Sequence, residues 1–378
     1  MAAGEKVKTR RRSPLWARLC VIVGCVLVVL SGAAIIGSKV LIARYAGAVE
    51  TRDLLGNGTD GKVKKATSNI AGPLNILLVG IDPRDEKTAP LSDSIVVAHV
   101  PAGLKQAYLF SIPRDLLVEI PAFPKANYPG GTEKVNAAMS HGSNLGNGTF
   151  DTAQGFDLLA KTVGKLTGIK KFDAGAIINF SGFKDIVDAM DGVTMNIDQD
   201  VKSEHRKPNG EPRDRSAACA TDHTCPNPYI GPQAEYKKGT HHLKGWQALD
   251  YVRQRYGLPN GDYDRQRHQQ QFIRAMAEQA LSKDVVTNPG KIDQVLRAAG
   301  DALIFDGNGY TVLDWALALR NLKSEDMALI KLKGGGLGEG ANYQGEQLDP
   351  SSENFFTALR NDTISSFLLE NPTFLQKI

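Results

Sequence analysis

The sequence carries little excess charge. Its 45 lysines and arginines are nearly balanced by 41 aspartates and glutamates, which gives the 378 residues a formal net charge of +4. Part of that excess lies in one N-terminal basic cluster, Lys6 to Arg12. Proteins that hold nucleic acid through its phosphates have a much stronger basic patch. We therefore expect no nucleic-acid partner.

Several common catalytic motifs are absent. The chain has no Walker loop, no H-E-x-x-H zinc motif, and no Ser/His/Asp or Cys/His order that indicates a nucleophilic triad. The glycine-rich segment Gly334 to Gly340 lacks the spacing of a dinucleotide fingerprint and predicts a mobile loop. A phosphate-handling site built from aspartates, a metal ion and arginines remains as the chemistry to consider.

Cysteine is scarce, with 4 residues. Cys20 and Cys25 lie in a long apolar run, whereas Cys219 and Cys225 lie in a polar segment, Val201 to Lys238, that predicts a surface excursion. Outside the cytoplasm such a pair predicts a short disulfide. A zinc site is the alternative, but its spacing matches no common zinc motif. Its further candidate ligands are His205, His223, His241 and His242.

The N-terminus has the pattern of a membrane anchor. Residues 1–18 are a basic tail and residues 19–43 are mostly apolar, which is enough for one transmembrane helix. The basic tail predicts a cytoplasmic N-terminus and a domain on the extracytoplasmic side of the membrane. A cleaved signal peptide is the alternative, although the run is long for one. We expect a stalk over 44–73 and the catalytic domain over 74–378.

The apolar pattern of the domain is typical of an α/β fold. Compact runs at Leu74 to Ile81, Ile95 to Val100, Ala107 to Ile112 and Ala174 to Phe180 predict buried strands. Between and after them, helical spacing begins near Thr152, and further helices are predicted up to Leu369. Two strands in close succession favour a hairpin, so we expect helices around a mixed central sheet.

Arginine is concentrated in the stretch Gly239 to Met276. Its pattern predicts two helices joined by a turn at Gly257 to Gly261. Arginine forks near that turn can grip a multiply charged oxyanion from several sides. A solvated, salt-bridged surface is the alternative interpretation. Because few carboxylates accompany the arginines, we favour a ligand phosphate.

Polar residues at predicted strand ends complete this hypothesis. Asp82 and Asp93 are candidate ligands for Mg²⁺, with Mn²⁺ as a possible substitute, because hard cations take carboxylate and phosphate oxygens. Loop caps and surface ion pairs are the competing explanation. Arg84 and Arg114 would neutralise further phosphate charge.

A set of short motifs then resembles the LytR-CpsA-Psr family of cell-envelope proteins. The motifs occur in a fixed order between about Asn75 and Leu281: N-I-L-L-V-G-I-D-x-R, S-D-S, S-I-P-R-D, K-V-N-A-A, Y-V-R-x-R-Y and D-Y-D-R-x-R-x-Q-Q. The resemblance implies a three-layer α/β/α domain that binds polyprenyl (pyro)phosphate, with the lipid tail in an apolar groove. It also implies transfer of a lipid-linked glycopolymer to peptidoglycan as a phosphodiester, with Mg²⁺ assisting.

The resemblance also implies roles for single residues. Asp82 and Asp93 fall on the metal-linked positions. The pyrophosphate contacts fall on Arg114, Arg253, Arg255, Arg265 and Gln269, with Lys134 as a weaker match. Many relatives have an arginine where this chain has His268, so Arg267 is the candidate replacement for that charge. We expect Asp82 or Asp93, or a metal-bound hydroxide, to help remove the proton from the acceptor hydroxyl.

Two other classes of function stay open at this point. A pyrophosphate hydrolase would need no acceptor glycan. A regulatory protein that only binds the lipid intermediate would keep its binding after loss of Asp82 or Asp93.

Overall fold

The computed structural model describes residues 49–58, 70–82, 87–219, 228–280, 282, 288–338 and 340–376. In these ranges the strands, in chain order, are β1 Glu50–Thr51, β2 Leu74–Ile81, β3 Ser92–Val100, β4 Ala107–Ser111, β5 Leu117–Ile120, β6 Gly131–Lys134, β7 Asn144–Gly146, β8 Thr149–Phe150, β9 Ala174–Asn179, β10 Val193–Ile197, β11 Val201–Lys202, β12 Asp214–Arg215, β13 Tyr229–Ile230, β14 Glu235–Tyr236, β15 Gly239–Leu243, β16 Leu303–Asp306, β17 Met327–Ile330, β18 Gly334–Leu337 and β19 Gly345–Leu348.

The α-helices of the same ranges are α1 Val135–Ser143, α2 Thr152–Thr167, α3 Phe180–Ala189, α4 Gly245–Arg253, α5 Asp262–Ala280, α6 Pro289–Ala302, α7 Val312–Ala318, α8 Ser351–Arg360 and α9 Ile364–Glu370. Helix α2 shows how local sequence sets the boundaries. The Asp151 carboxylate accepts hydrogen bonds from the backbone N–H groups of Ala153 and Gln154, and Gly168 ends the helix at a φ of 74°.

The predicted strands form the centre of a seven-stranded mixed sheet with the order β1-β16-β9-β2-β3-β4-β17. Strands β2, β3 and β4 pair as antiparallel neighbours, which confirms the predicted hairpin. Strand β9 lies parallel to β2, because the intervening chain crosses over the sheet through α1 and α2.

Side chains alternate between the two faces of this sheet. From β2, Leu77 and Val79 enter a core shared with α1, α2, α8 and α9. Leu74 of the same strand enters a second core on the opposite face, together with residues of α3, α6 and α7. Helices therefore cover both faces, and the predicted three-layer α/β/α arrangement is present.

The region expected to be a stalk contributes to the sheet. Strand β1 lies within residues 44–73 and pairs in parallel with β16. Leu54 is fully buried, and the Asp306 carboxylate accepts hydrogen bonds from the backbone N–H groups of Leu54 and Leu55. The sequence hides this strand because only two residues pair, which is too short to show a period.

Other differences lie near helix ends and glycines. The segment expected as a mobile loop contains β18, which forms an antiparallel hairpin with β19. Helix α3 begins at Phe180. The helical segment that the sequence predicts to end at Leu369 is two helices, α8 and α9, separated near Asp362, whose φ is 54°. The predicted transmembrane span 19–43 lies outside the described residues, and none of the helices within them is long and apolar enough to cross a membrane.

Candidate active site

The arginine-rich stretch folds into two helices joined by a turn, as the pattern predicts. Helix α4 ends at Arg253 and α5 begins at Asp262. Gly257 and Gly261 lie between them with φ values of 72° and 51°, a backbone region that favours glycine. Tyr251 of α4 and Phe272 of α5 pack into one buried cluster. The helix pair is thereby fixed, and its arginines lie near the turn.

The strand ends lie beside this turn for topological reasons. Asp82 directly follows β2, Asp93 is the second residue of β3, and Arg114 follows β4. Because β2 and β4 both run antiparallel to β3, their carboxyl ends lie beside the amino end of β3. One edge of the sheet therefore presents all three side chains.

The two groups meet at a large open cleft, which we call the arginine cleft. Its cavity volume is about 1460 Å³. Among its lining residues are the following predicted site residues: Asp82, Asp93, Arg114, Arg253, Arg255, Arg265 and Gln269. The structure therefore brings together most of the residues that the motifs singled out from distant parts of the chain.

Both aspartates are paired with arginine in the cleft. Arg253 donates a hydrogen bond to Asp82, and Arg114 Nη1 lies 2.5 Å from Asp93 Oδ1. Arg265 Nη2 donates to the Asp93 backbone oxygen at 3.1 Å. The sheet edge and the helix pair are thus linked by charge-assisted hydrogen bonds.

Gln269 and Arg265 have positioning contacts as well. Gln269 accepts a hydrogen bond from Ser94 Oγ at 2.8 Å and donates one to the Val252 backbone oxygen at 3.3 Å. Arg265 Nη2 lies 2.7 Å from Asp262 Oδ1. These contacts fix the orientation of α5 against both β3 and α4.

Arg114 Nε and Arg265 Nε are buried and make no hydrogen bond within the described residues, although Arg114 Nε lies 3.6 Å from Asp115 Oδ2. Burial lowers the pKa of the Arg265 guanidinium, and the charge of Arg114 adds to this effect against the opposing pull of Asp262. For Arg114, burial acts in the same direction, but Asp93 and Asp115 outweigh it and raise its pKa. An anionic ligand in the cleft would neutralise part of the positive charge of these guanidinium groups.

Arg267 and His268 face away from the cleft and are not among its lining residues. Arg265 and Gln269 are four residues apart and share one side of α5, whereas Arg267 and His268 are turned to another side. Arg267 Nε lies 2.6 Å from Asp198 Oδ2, and the His268 ring is fully buried and stacked on Tyr251. The expectation that Arg267 contacts the phosphate therefore does not fit its position.

Of the two remaining predicted site residues, the structure describes Lys134 but not Arg84. Lys134 is not among the cleft-lining residues, and its Nζ lies 3.1 Å from Asp115 Oδ1. Asp115 also lies 3.6 Å from Arg114 Nε, so Lys134 acts on the cleft only through this carboxylate. Arg84 lies outside the described residues.

The excursion Val201 to Lys238 forms a wall of the arginine cleft that the sequence did not predict. Its described part folds into the short pairs β11–β14 and β12–β13. The cleft-lining residues from this excursion are Lys202, Glu204, His205, Arg213, Arg215, Pro228, Tyr229 and Gln233. Their polar composition was a visible signal, but nothing in the sequence indicated which elements they would face.

A buried polar cluster attaches this wall to the arginine-bearing helix. Asp250 of α4 accepts hydrogen bonds from Ser203 at 3.0 Å, from Tyr236 at 2.7 Å and from Gln254 at 2.8 Å. Burial raises the pKa of Asp250, although the bonds from Tyr236 and Ser203 oppose this. Such a network positions the wall against α4 in one arrangement.

The aspartates offer a limited site for a metal ion. Within the described residues, no group of three or more His, Cys, Asp or Glu side chains is placed to hold one. Asp82 and Asp93 line the same cleft, and Mg²⁺ is commonly bound by one or two carboxylates together with substrate phosphate oxygens. The donor set therefore fits Mg²⁺ when a phosphate is present.

Cys219 is disulfide-bonded and buried. Cys225, its predicted partner, lies outside the described residues.

Comparison with known proteins gives consistent matches. Residues 42–361 match the LytR_cpsA_psr family. The chain is 28% identical over 290 residues to TagU of Enterococcus faecalis, named a polyisoprenyl-teichoic acid–peptidoglycan teichoic acid transferase, with 75% of this chain and 78% of the relative covered. It is also 28% identical over 278 residues to the cell wall biosynthesis protein LcpA of Corynebacterium glutamicum, covering 66% and 48%.

A third relative has a regulatory name. The chain is 29% identical over 226 residues to Biofilm regulatory protein A of Streptococcus mutans, covering 58% of this chain and 47% of the relative. Against this protein and LcpA, the match spans about half of the relative's length.

Solved structures share the fold. Bacillus subtilis TagV is 23% identical with a TM-score of 0.53, covering 78% of this chain and 98% of that chain. A structure of TagT bound to LI-WTA is 23% identical with a TM-score of 0.51, covering 81% and 98%.

Proposed function

Because the chain belongs to the LytR-CpsA-Psr family, we propose that it transfers a polyprenyl-pyrophosphate-linked cell-wall glycopolymer to peptidoglycan, with a phosphodiester link as the product. The observation that carries the proposal is the arginine cleft, whose lining brings together arginines from the end of β4 and from the helix pair: Arg114, Arg253, Arg255 and Arg265. The names of the transferase relatives support the reaction class.

The cleft residues supply charge neutralisation and positioning. Arg114 and Arg265 donate to the non-bridging oxygens of the pyrophosphate, and Arg253 and Arg255 hold it from the side of α4. Phosphoryl transfer needs little covalent help from the protein, so this electrostatic hold is the main catalytic contribution. As polyprenyl phosphate leaves, the same guanidinium groups stabilise its growing negative charge.

Asp82 and Asp93 would hold Mg²⁺, with Mn²⁺ as a possible substitute. When bound, the ion supplies further neutralisation of phosphate charge. Arg253 and Arg114 also contact these two carboxylates, so the ion and the arginines would lie around the same oxygens. The lipid tail would leave the cleft past its apolar rim at Pro90 and Leu91. In this proposal the chain crosses the cell membrane once and the domain with the arginine cleft lies outside the cell membrane.

The test uses full-length protein in detergent with a synthetic polyprenyl-pyrophosphate saccharide, Mg²⁺ and peptidoglycan oligomers. We expect sugar phosphate to become attached to the glycan, and EDTA to suppress the reaction. Arg255→Ala should lower the rate by about 100-fold or more, because it removes a guanidinium that contacts only Tyr256 among the described residues. Arg297→Ala is the matched control, since Arg297 pairs with Asp293 on α6 and does not line the cleft.

Two other results would replace the proposal. Sugar phosphate released without attachment would indicate a hydrolase. Tight lipid binding without turnover would indicate a regulatory protein, the second candidate, which the name of the Streptococcus mutans relative favours.

A further inference from the structure

A second cavity of about 340 Å³ adjoins the arginine cleft. His205, Tyr229 and Arg253 line both spaces, so the two are neighbours along one shared rim. The second cavity lies between α4, which supplies Trp246, and the segment between β11 and β12, which supplies Arg206. A molecule in this cavity would therefore approach a phosphate in the cleft past His205.

The walls of the second cavity have the character of a sugar site. Tyr229, Trp246 and Leu249 offer apolar surface, on which the C–H face of a pyranose can pack. Arg206 and Lys184 also line this cavity, where Lys184 is paired with Asp188. Asp250 lines it too, and its carboxylate already accepts three hydrogen bonds. Apolar faces with polar groups beside them suit a sugar rather than a lipid chain.

His205 lies on the shared rim, and part of its imidazole ring is exposed to solvent. Its side chain is 45% exposed, and its ring meets Tyr229 edge to face at 4.9 Å between centroids. Its nearest carboxylate is Glu204, whose Oε2 lies 3.9 Å from His205 Nε2, beyond hydrogen-bond distance. The backbone N–H of His205 donates to the buried Ser203 hydroxyl at 3.1 Å, which holds the residue to the Asp250 cluster.

The charges around His205 are mostly positive. Burial lowers its pKa, and four arginines lower it further: Arg253, Arg206, Arg213 and Arg255. Glu204 is the acidic neighbour, and burial raises the pKa of its carboxyl group. The imidazole is therefore neutral at neutral pH and can accept a proton.

We propose that the second cavity receives the acceptor sugar of the glycan strand and that His205 accepts the proton from its attacking hydroxyl. The proposal rests on the transfer reaction proposed above. The acceptor oxygen forms a bond to the sugar-linked phosphorus, and the bond from that phosphorus to the bridging oxygen breaks. Its electron pair leaves with polyprenyl phosphate, while the proton passes to the imidazole and then to water.

The first test measures acceptor-dependent transfer by His205→Gln over pH 5 to 8 with full-length protein. We expect kcat to fall about 100-fold, the KM for the lipid donor to stay unchanged, and the acidic limb of the pH profile to disappear. His241→Gln is the matched control, because His241 lies on β15 and lines neither cavity. An unchanged rate and pH profile in His205→Gln would refute the assignment.

The second test fills the cavity. Leu249→Trp adds bulk to its wall, and we expect the KM for peptidoglycan oligomers to rise about 10-fold while the KM for the donor stays unchanged. Circular dichroism melts check that the variant is folded, and Leu249→Ala, which enlarges the cavity, provides a second variant. An unchanged acceptor KM in both folded variants would overturn the acceptor site.

The controls separate this proposal from the function on which it rests. If wild-type protein transfers and Arg255→Ala does not, the function stands whatever the His205 and Leu249 variants show. If wild-type protein only releases sugar phosphate, the transfer function itself is wrong, and the acceptor site falls with it.

Discussion

His268 shows how a neighbour in the sequence can differ from a neighbour in the site. It lies one residue before Gln269, yet its ring is fully buried, stacked on Tyr251 at 4.5 Å between centroids. Burial lowers its pKa, although Asp198, 3.6 Å away, opposes this. A neutral imidazole therefore fills a place beside Arg267, where a second cation would have to share the carboxylates of Asp198 and Asp264 with that arginine.

We predict that His268→Arg destabilises the domain without increasing transfer. The added guanidinium would be buried next to Arg267 and would face away from the arginine cleft. The expected loss in the free energy of unfolding is about 3 kcal/mol, measured by urea unfolding. His268→Gln keeps the site neutral and is the control. A stable His268→Arg variant with faster turnover would show that this position reaches the phosphate.

At the scale of elements, the buried hydrogen bonds of the Asp250 carboxylate, the Asp250 cluster, join helix α4 to the cleft wall formed by the excursion Val201 to Lys238. Ser203, Tyr236 and Gln254 all donate to the one carboxylate, and Ser203 in turn accepts from the backbone of His205. The wall also packs against α4 through the buried side chains of Val201, Ala234 and Tyr236. The cluster and this packing together place His205 and Tyr229 opposite the arginines.

We predict that Asp250→Asn lowers both stability and transfer. An amide N–H₂ would replace one acceptor oxygen and face a donor, so we expect a loss of about 2 kcal/mol in urea unfolding. Tyr236→Phe removes one hydroxyl and should cost about 1 kcal/mol. If Asp250→Asn lost stability while acceptor KM and kcat stayed at wild-type values, the wall would not depend on this cluster.

At the scale of the whole molecule, two buried histidines make stability depend on pH. His99 is 1% exposed, and its ring nitrogens lie 2.9 Å from Asn75 Oδ1 and 3.0 Å from Asp362 Oδ1. Burial lowers its pKa despite Asp362, and His268 shares the same direction. A histidine whose folded pKa lies below its unfolded value of 6.5 stabilises the fold fully above that pH and loses this contribution as the pH falls.

We therefore predict that the free energy of unfolding decreases as the pH falls from 7 to 5. The slope from each histidine is at most about 1.4 kcal/mol per pH unit. Urea midpoints at several pH values measure it, with His99→Asn and His268→Gln each expected to flatten the curve and His241→Gln expected to leave it unchanged. A wild-type midpoint that is constant over this range would contradict the prediction.

The sequence alone predicted the central part of the fold. Apolar runs of strand length predicted β2, β3, β4 and β9, and helical spacing predicted the pair α4 and α5, because burial imposes a period that is visible in a single segment. The predicted residues of the arginine cleft could also be found in the sequence, because they lie in compact motifs at strand and helix ends. The two-residue strand β1 and the hairpin β18–β19 were missed, because segments so short or so rich in glycine show no period.

Contacts between distant segments were decided only by the tertiary structure. Composition predicted an excursion at Val201 to Lys238. The hydrogen bonds that Asp250 accepts from Ser203 and Tyr236 make this excursion a wall of the cleft. They also place His205 on the rim between the two cavities. The direction of Arg267 was decided in the same way, by the rotation of α5 that buries Phe272 and directs Arg265 to the cleft. Residue types and local periods are written in the chain, whereas the partner of a polar side chain depends on which surfaces the packed core brings together.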